Sequence, residues 1–162
     1  MIDDPLYWLT PETVEREHKT ARDLLDNQGI IISTDMKLYE IARSAFQKIA
    51  LAMPKLILHS TLRLVYVYDQ REQPNSHIIR TSDGFSSVSE RLKDGKRVSS
   101  VGISKQALEY SEEYIILVLL HELAHVTVNG QHNHDETFHC WLDYLIAEYN
   151  DFHGTQIIND YI

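Results

Sequence analysis

Residues 112–130 read EEYIILVLLHELAHVTVNG, and this stretch decides the architecture. Two acids at its start suit the positive end of a helix dipole. The run Ile115 to Leu120 is unbroken and apolar, so a helix built from it is apolar on every side and belongs inside a domain. Gly130 suits a helix stop. The pattern predicts a long buried helix that starts near Ser104 or Ser111 and ends at Val128. The apolar run is far too short to span a bilayer.

That helix ends on polar residues. His121-Glu122-Leu123-Ala124-His125 has the form H-E-x-x-H. On a helix, positions i and i+4 lie one turn apart on one face, so two imidazoles there can reach one zinc ion. A glutamate beside the first histidine then sits next to the metal's open position, where it can take a proton from bound water. A polar trio emerging from a buried helix is costly unless it is paired or metal-bound. These residues point to a metal site with His121 and His125 as ligands and Glu122 as general base.

A catalytic zinc needs a third protein ligand. Residues 130–139, GQHNHDETFH, hold the candidates. If the last helix starts near Asp135, His134 falls about 40° from the direction of Phe138 and can point inward, at about 100° per residue. His139 lies near the edge of that face, Glu136 points away, and His132 sits in the loop. His134 therefore ranks first, with His132, His139 and Glu148 as alternatives.

Upstream, Thr10-Pro11-Glu12 is a helix start, and that helix should reach about Asn27 and stop at Gly29. Leu38, Ile41, Ala42, Ala45, Phe46, Ile49 and Ala50 recur at helical spacing between Met36 and Met53, with Pro54 as the stop. Residues 62–68, LRLVYVY, read as a strand, and His77 to Arg80 as another. Asp94-Gly95 is a hairpin turn signal. It would join strands near Ser86 to Leu92 and Arg97 to Ile103. In the last helix, from about Asp135 to Tyr149, one apolar face holds Phe138, Trp141, Leu142, Leu145, Ile146 and Tyr149.

The chain has 162 residues, a size that suits one domain with a real core. Six of its nine histidines lie at or after position 121, which places the chemistry at that end. The net charge of −9 disfavours tight nonspecific binding to nucleic acid or an anionic membrane. Arg91 to Arg97 carries four of the fifteen Lys and Arg residues, which is read as a solvated hairpin. A single cysteine, Cys140, excludes an intramolecular disulfide and points to a reducing compartment. The N-terminal residues show no signal-peptide pattern, so the expected location is the cytoplasm.

His121 to His125, a short loop, and then His134-Asp135-Glu136-Thr137-Phe138 resembles the H-E-x-x-H … H-x-x-x-F arrangement of SprT-like and WLM-like metallopeptidases of the zincin type. The resemblance covers the long helix, the loop and the final helix. It implies an α+β zincin-like fold, with a small mixed or antiparallel sheet packed on helices. One domain would span residues 1–162, with a helical part over 1–54, a sheet over 60–104, and the active-site and final helices over 105–150. It also implies zinc-dependent hydrolysis of a peptide or protein substrate, with His134 as third ligand. An edge strand commonly binds substrate in such folds, and Arg97 to Ile103 is the candidate. No zinc-ribbon cysteines follow, so a DNA-linked role is not implied.

A metzincin arrangement is excluded: position 131 is Gln, and no methionine follows Met53. A second resemblance, to compact minigluzincins, would make Glu148 the third ligand. Tyr144 or Tyr149 could supply an oxyanion hydroxyl, although Tyr149 suits core packing. The functional alternative is a non-proteolytic zinc-binding regulatory or partner-binding module on the same fold. The intact Glu122 argues against it. A further idea is a peptidase that cleaves a repressor, resembling those of phages and mobile elements.

Overall fold

The computed structural model describes residues 7–16, 29–73, 82–91, 97–131 and 134–159. Within them the chain forms β1 (Tyr7–Trp8), α1 (Pro11–Arg16), α2 (Met36–Ala52), α3 (Pro54–His59), β2 (Leu62–Tyr68), β3 (Gly84–Arg91), β4 (Arg97–Ser104), α4 (Glu112–Thr127) and α5 (Glu136–His153). This is a mixed α+β architecture. The strand order is β1-β2-β4-β3. β1 and β4 run parallel to β2, while β3 pairs antiparallel with β4, so the sheet is mixed.

Local chemistry sets the helix ends. The side chains of Asp35, Ser111 and Asp135 each accept a backbone N–H of the first turn, capping α2, α4 and α5. α5 ends on Gly154 in the left-handed conformation, φ 67°. Ser111, not Ser104, is the start of α4; a short 3₁₀ turn at Ala107–Glu109 precedes it. Pro54 ends α2 as expected, yet it also occupies the first turn of α3, where its missing N–H costs nothing.

Alternation along the strands gives the sheet two buried faces. Val65, Val67, Val101 and Ile103 join the core that α2, α4 and α5 cover. Leu64, Tyr66 and Tyr68 face the other way, against Leu9, Ile30 and Val98. The Tyr39 hydroxyl, on α2, lies 3.0 Å from both Leu9 O and Ser33 O, which ties the N-terminal segments to the helix layer. α4 is buried along nearly its whole length, from Ile115 to Ala124. A helix apolar all round has to be central, and it is.

Three expectations need correction. Arg97 to Ile103 is not an edge strand: β4 lies between β2 and β3, and among the described residues the edge strands are β1 and β3. The stretch 1–54 is not purely helical, because Tyr7–Trp8 adds a strand to the sheet. Trp141 is 38% exposed and stands outside the apolar face of α5, whereas Phe138, Leu142, Leu145, Ile146 and Tyr149 are buried. The expected strand at His77 to Arg80, the Asp94-Gly95 turn and the helix beyond Arg16 lie outside the described residues.

Candidate metal centre

The centre is assembled from α4 and the residue two places before α5. His121 and His125 lie one turn apart on α4, with ring centroids 5.0 Å apart. His134 precedes the cap Asp135 and has φ 60°, a left-handed backbone that few side chains adopt. That turn carries its ring back to α4. His134 Nε2 lies 3.1 Å from His121 Nε2 and 3.1 Å from His125 Nε2. His134 does join His121 and His125, but not by the expected geometry. His134 is not on the final helix, so its helical angle decides nothing.

Phe138 forms the floor. It is fully buried, in the first turn of α5, and its ring centroid lies 5.0 Å from His121, 4.4 Å from His125 and 5.0 Å from His134. An apolar wall against three imidazoles limits their rotation and leaves their nitrogens facing one point.

The donor set fits a metal ion. The three histidines offer ligand atoms that all lie within 4.8 Å of one another. Tetrahedral Zn–N bonds of about 2.0–2.1 Å place two donors about 3.3 Å apart, close to the observed 3.1 Å. Hydrogen bonding alone does not satisfy such a set, since His134 Nε2 carries at most one proton and faces two ring nitrogens. Burial is the main cause that pushes His121 down to about 3 and His125 down to about 4, with neighbouring imidazoles adding to it. Both rings are therefore neutral at pH 7 and present lone pairs without releasing a proton.

Burial is graded across the centre. His121 is buried, His125 half-buried and His134 exposed, so the centre opens to solvent on the His134 side. Glu122 is enclosed: it is 4% exposed and lies against β3. Burial pushes its carboxyl up to about 8, against the opposing hydrogen bond from Ser86.

The other candidates stay apart. His139 is exposed; its ring packs on Phe138 at 5.3 Å but is not among the three converging ligands. Glu148 lies ten residues beyond Phe138 on α5, about 15 Å along the helix axis, too far to share an ion with these histidines. His132 lies outside the described residues. Tyr149 is a core residue, and Tyr144 is half-exposed beside Trp141.

The sequence reading missed Gly84 and Ser86, which touch Glu122 from β3. A glycine inside a strand, as in Gly84-Phe85-Ser86, is the signal of a close backbone approach and was available to be read. Comparison with family models, curated proteins and solved structures gives no match for this chain.

Proposed function

We propose that this chain is a zinc-dependent metallopeptidase of the zincin type, with His121, His125 and His134 holding the metal and Glu122 as general base. The convergence of three imidazole nitrogens supports it, because the third comes from outside the motif. A chance H-E-x-x-H has no reason to meet a third histidine held at 3.1 Å by a left-handed turn. The order of parts (buried helix, turn, third histidine, amphipathic helix) is also that of the SprT-like and WLM-like group.

Bound zinc would supply a Lewis acid and a water of lowered pKa. The chain's own residues do the rest. His121 and His125 are fixed by the helix, His134 by its turn, and Phe138 keeps the rings in place. Glu122 holds and moves the proton. The open His134 side admits substrate. β3, an edge strand among the described residues, would offer backbone groups to an extended peptide, the role expected of an edge strand in such folds.

A specific observation favours the alternative, a non-proteolytic zinc-binding module. Glu122 is enclosed, and a general base must meet water. One experiment separates the two. Purified chain is loaded with zinc, its metal content is measured, and hydrolysis of denatured casein is followed for the wild type and Glu122→Gln. The peptidase reading expects one zinc per chain in both proteins and cleavage by the wild type alone. A folded protein that takes up no divalent metal overturns both readings. Equal cellular effects of wild type and variant, with zinc bound in each, favour the non-catalytic one.

No helix among the described residues is long and apolar enough to cross a membrane. A peptide or protein substrate in the cytoplasm belongs to the proposal, as does the absence of a nucleic-acid role drawn from the acidic charge.

A further inference from the structure

The first half of β3 lies directly on the Glu122 side chain. Gly84 pairs with Ile103 and Ser86 with Val101, so residues 84 and 86 share the sheet face that α4 covers. A Cβ at position 84 would stand 2.8 Å from Val118 Cγ1 and 2.9 Å from both Cγ and Oε2 of Glu122. Strand backbone and carboxylate approach this closely because residue 84 has no side chain. Two residues on, the Ser86 hydroxyl donates to the same carboxylate.

The strand is itself pinned in front of this contact. The Tyr114 hydroxyl donates to Asp83 Oδ2, and Gln70 Nε2 donates to Asp83 Oδ1 at 2.9 Å. Ser104 N donates to Asp83 O at 2.8 Å. Tyr114, Val118 and Glu122 are spaced four residues apart on α4. Helix and strand are thus joined at three successive turns, through Asp83, then Gly84, then Gly84 and Ser86 together.

Resting on the reading of Glu122 as general base, we propose that Gly84 and Ser86 are its positioning residues. A glutamate in solution samples many rotamers, and fixing it costs conformational entropy. Here the Gly84 backbone and the Ser86 hydroxyl both restrict where the carboxylate can sit. Because β3 is an edge strand among the described residues, the strand that would receive a ligand also holds the proton-transfer group.

The test reads the carboxylate directly. Full-length, zinc-loaded protein is labelled with ¹³C at glutamate Cδ, and the Glu122 resonance is identified by its loss in Glu122→Gln. Spectra are compared at one pH. Ser86→Ala is expected to move that resonance by more than its linewidth, with zinc stoichiometry unchanged, and Ser86→Thr to restore it. Gly84→Ala is expected to move it as well, since Val118 and Glu122 must both give way. An unmoved resonance in Ser86→Ala overturns the proposal, as does a shift that Ser86→Thr fails to restore. Should Ser86→Ala not fold, Ser86→Cys, of similar size but a weaker donor, gives the same readout. Casein hydrolysis by wild type and Glu122→Gln decides the general-base reading separately, so the two can fail independently.

Discussion

In the metal-free protein, Glu122 should make stability fall as pH rises above neutrality, and Glu122→Gln should abolish that fall. The carboxyl is 4% exposed, and its burial raises it from an ordinary value of 4.5 to about 8. Between those values the folded state keeps a proton that the unfolded chain has released. Folding is then linked to proton uptake, and stability declines with rising pH. Its contribution is fully present below 4.5 and is lost through 8. From pH 6.5 to 8.5 the loss is about 2 kcal/mol, with a slope near 1.4 kcal/mol per unit at the start that halves at pH 8. For a domain of this size that is a Tm change of about 4–8 °C. Glutamine mimics the protonated acid and cannot ionise. The assay is urea unfolding at both pH values in the presence of a chelator, for wild type and Glu122→Gln. Other titrating groups cancel in the difference. Parallel pH dependence in the two proteins would refute the reasoning, because a carboxyl enclosed by β3 cannot ionise without cost.

On the acid side, His121 and His125 have folded values of about 3 and 4, below their ordinary 6.5. The unfolded chain takes up those protons first, so stability is full above 6.5 and drains as pH falls towards 4. His125→Gln should flatten that arm of the urea-melt profile by roughly one proton's slope. His134→Ala should weaken zinc binding more than the roughly 100-fold upper end known for outer-shell partners, while His139→Ala leaves it unchanged; competition with a chromogenic chelator measures both. Asp135→Ala removes the α5 cap next to that ligand and should cost about 1 kcal/mol with some loss of zinc affinity, and Asp135→Asn should recover most of both. Tyr66 carries a buried hydroxyl with no hydrogen-bond partner among the described residues, so Tyr66→Phe should leave stability unchanged or raise it by about 1 kcal/mol in thermal melts.

Legibility in the sequence followed how local the cause was. Helices α2, α4 and α5 were readable because their apolar spacing, caps and stops lie within each segment. The pair His121 and His125 was readable for the same reason: four residues on a helix is a fixed geometry. Sheet order was not. β2 and β4 are parallel neighbours separated by β3 in the chain, and the apolar pattern of residues 97–103 does not tell a central strand from an edge one. The small residues at Ser99, Ser100 and Gly102 were a faint sign, since Gly102 leaves room for the Tyr66 ring, which would meet a Cβ there at 2.3 Å. Gly84 marks a close backbone approach in the sequence, but what approaches it, and the part of Ser86, depend on a helix some thirty residues later.

His134, the proposed third ligand, sets the two halves of the candidate centre apart. α4 presents its two imidazoles from a helix buried on all sides, so that half is rigid with or without metal. His134 sits at positive φ on an exposed stretch, an arrangement that costs about 1 kcal/mol or more for a non-glycine residue. Packing on Phe138 holds the ring in position, but the strain favours release. A metal that binds all three nitrogens joins α4 to the start of α5 and offsets that strain. Its binding energy therefore adds to folding chiefly through the α5 half, as any ligand specific to the folded state must. Metal occupancy should accordingly protect the backbone amides of residues 134–138 from hydrogen exchange far more than those of 115–124, which are already closed.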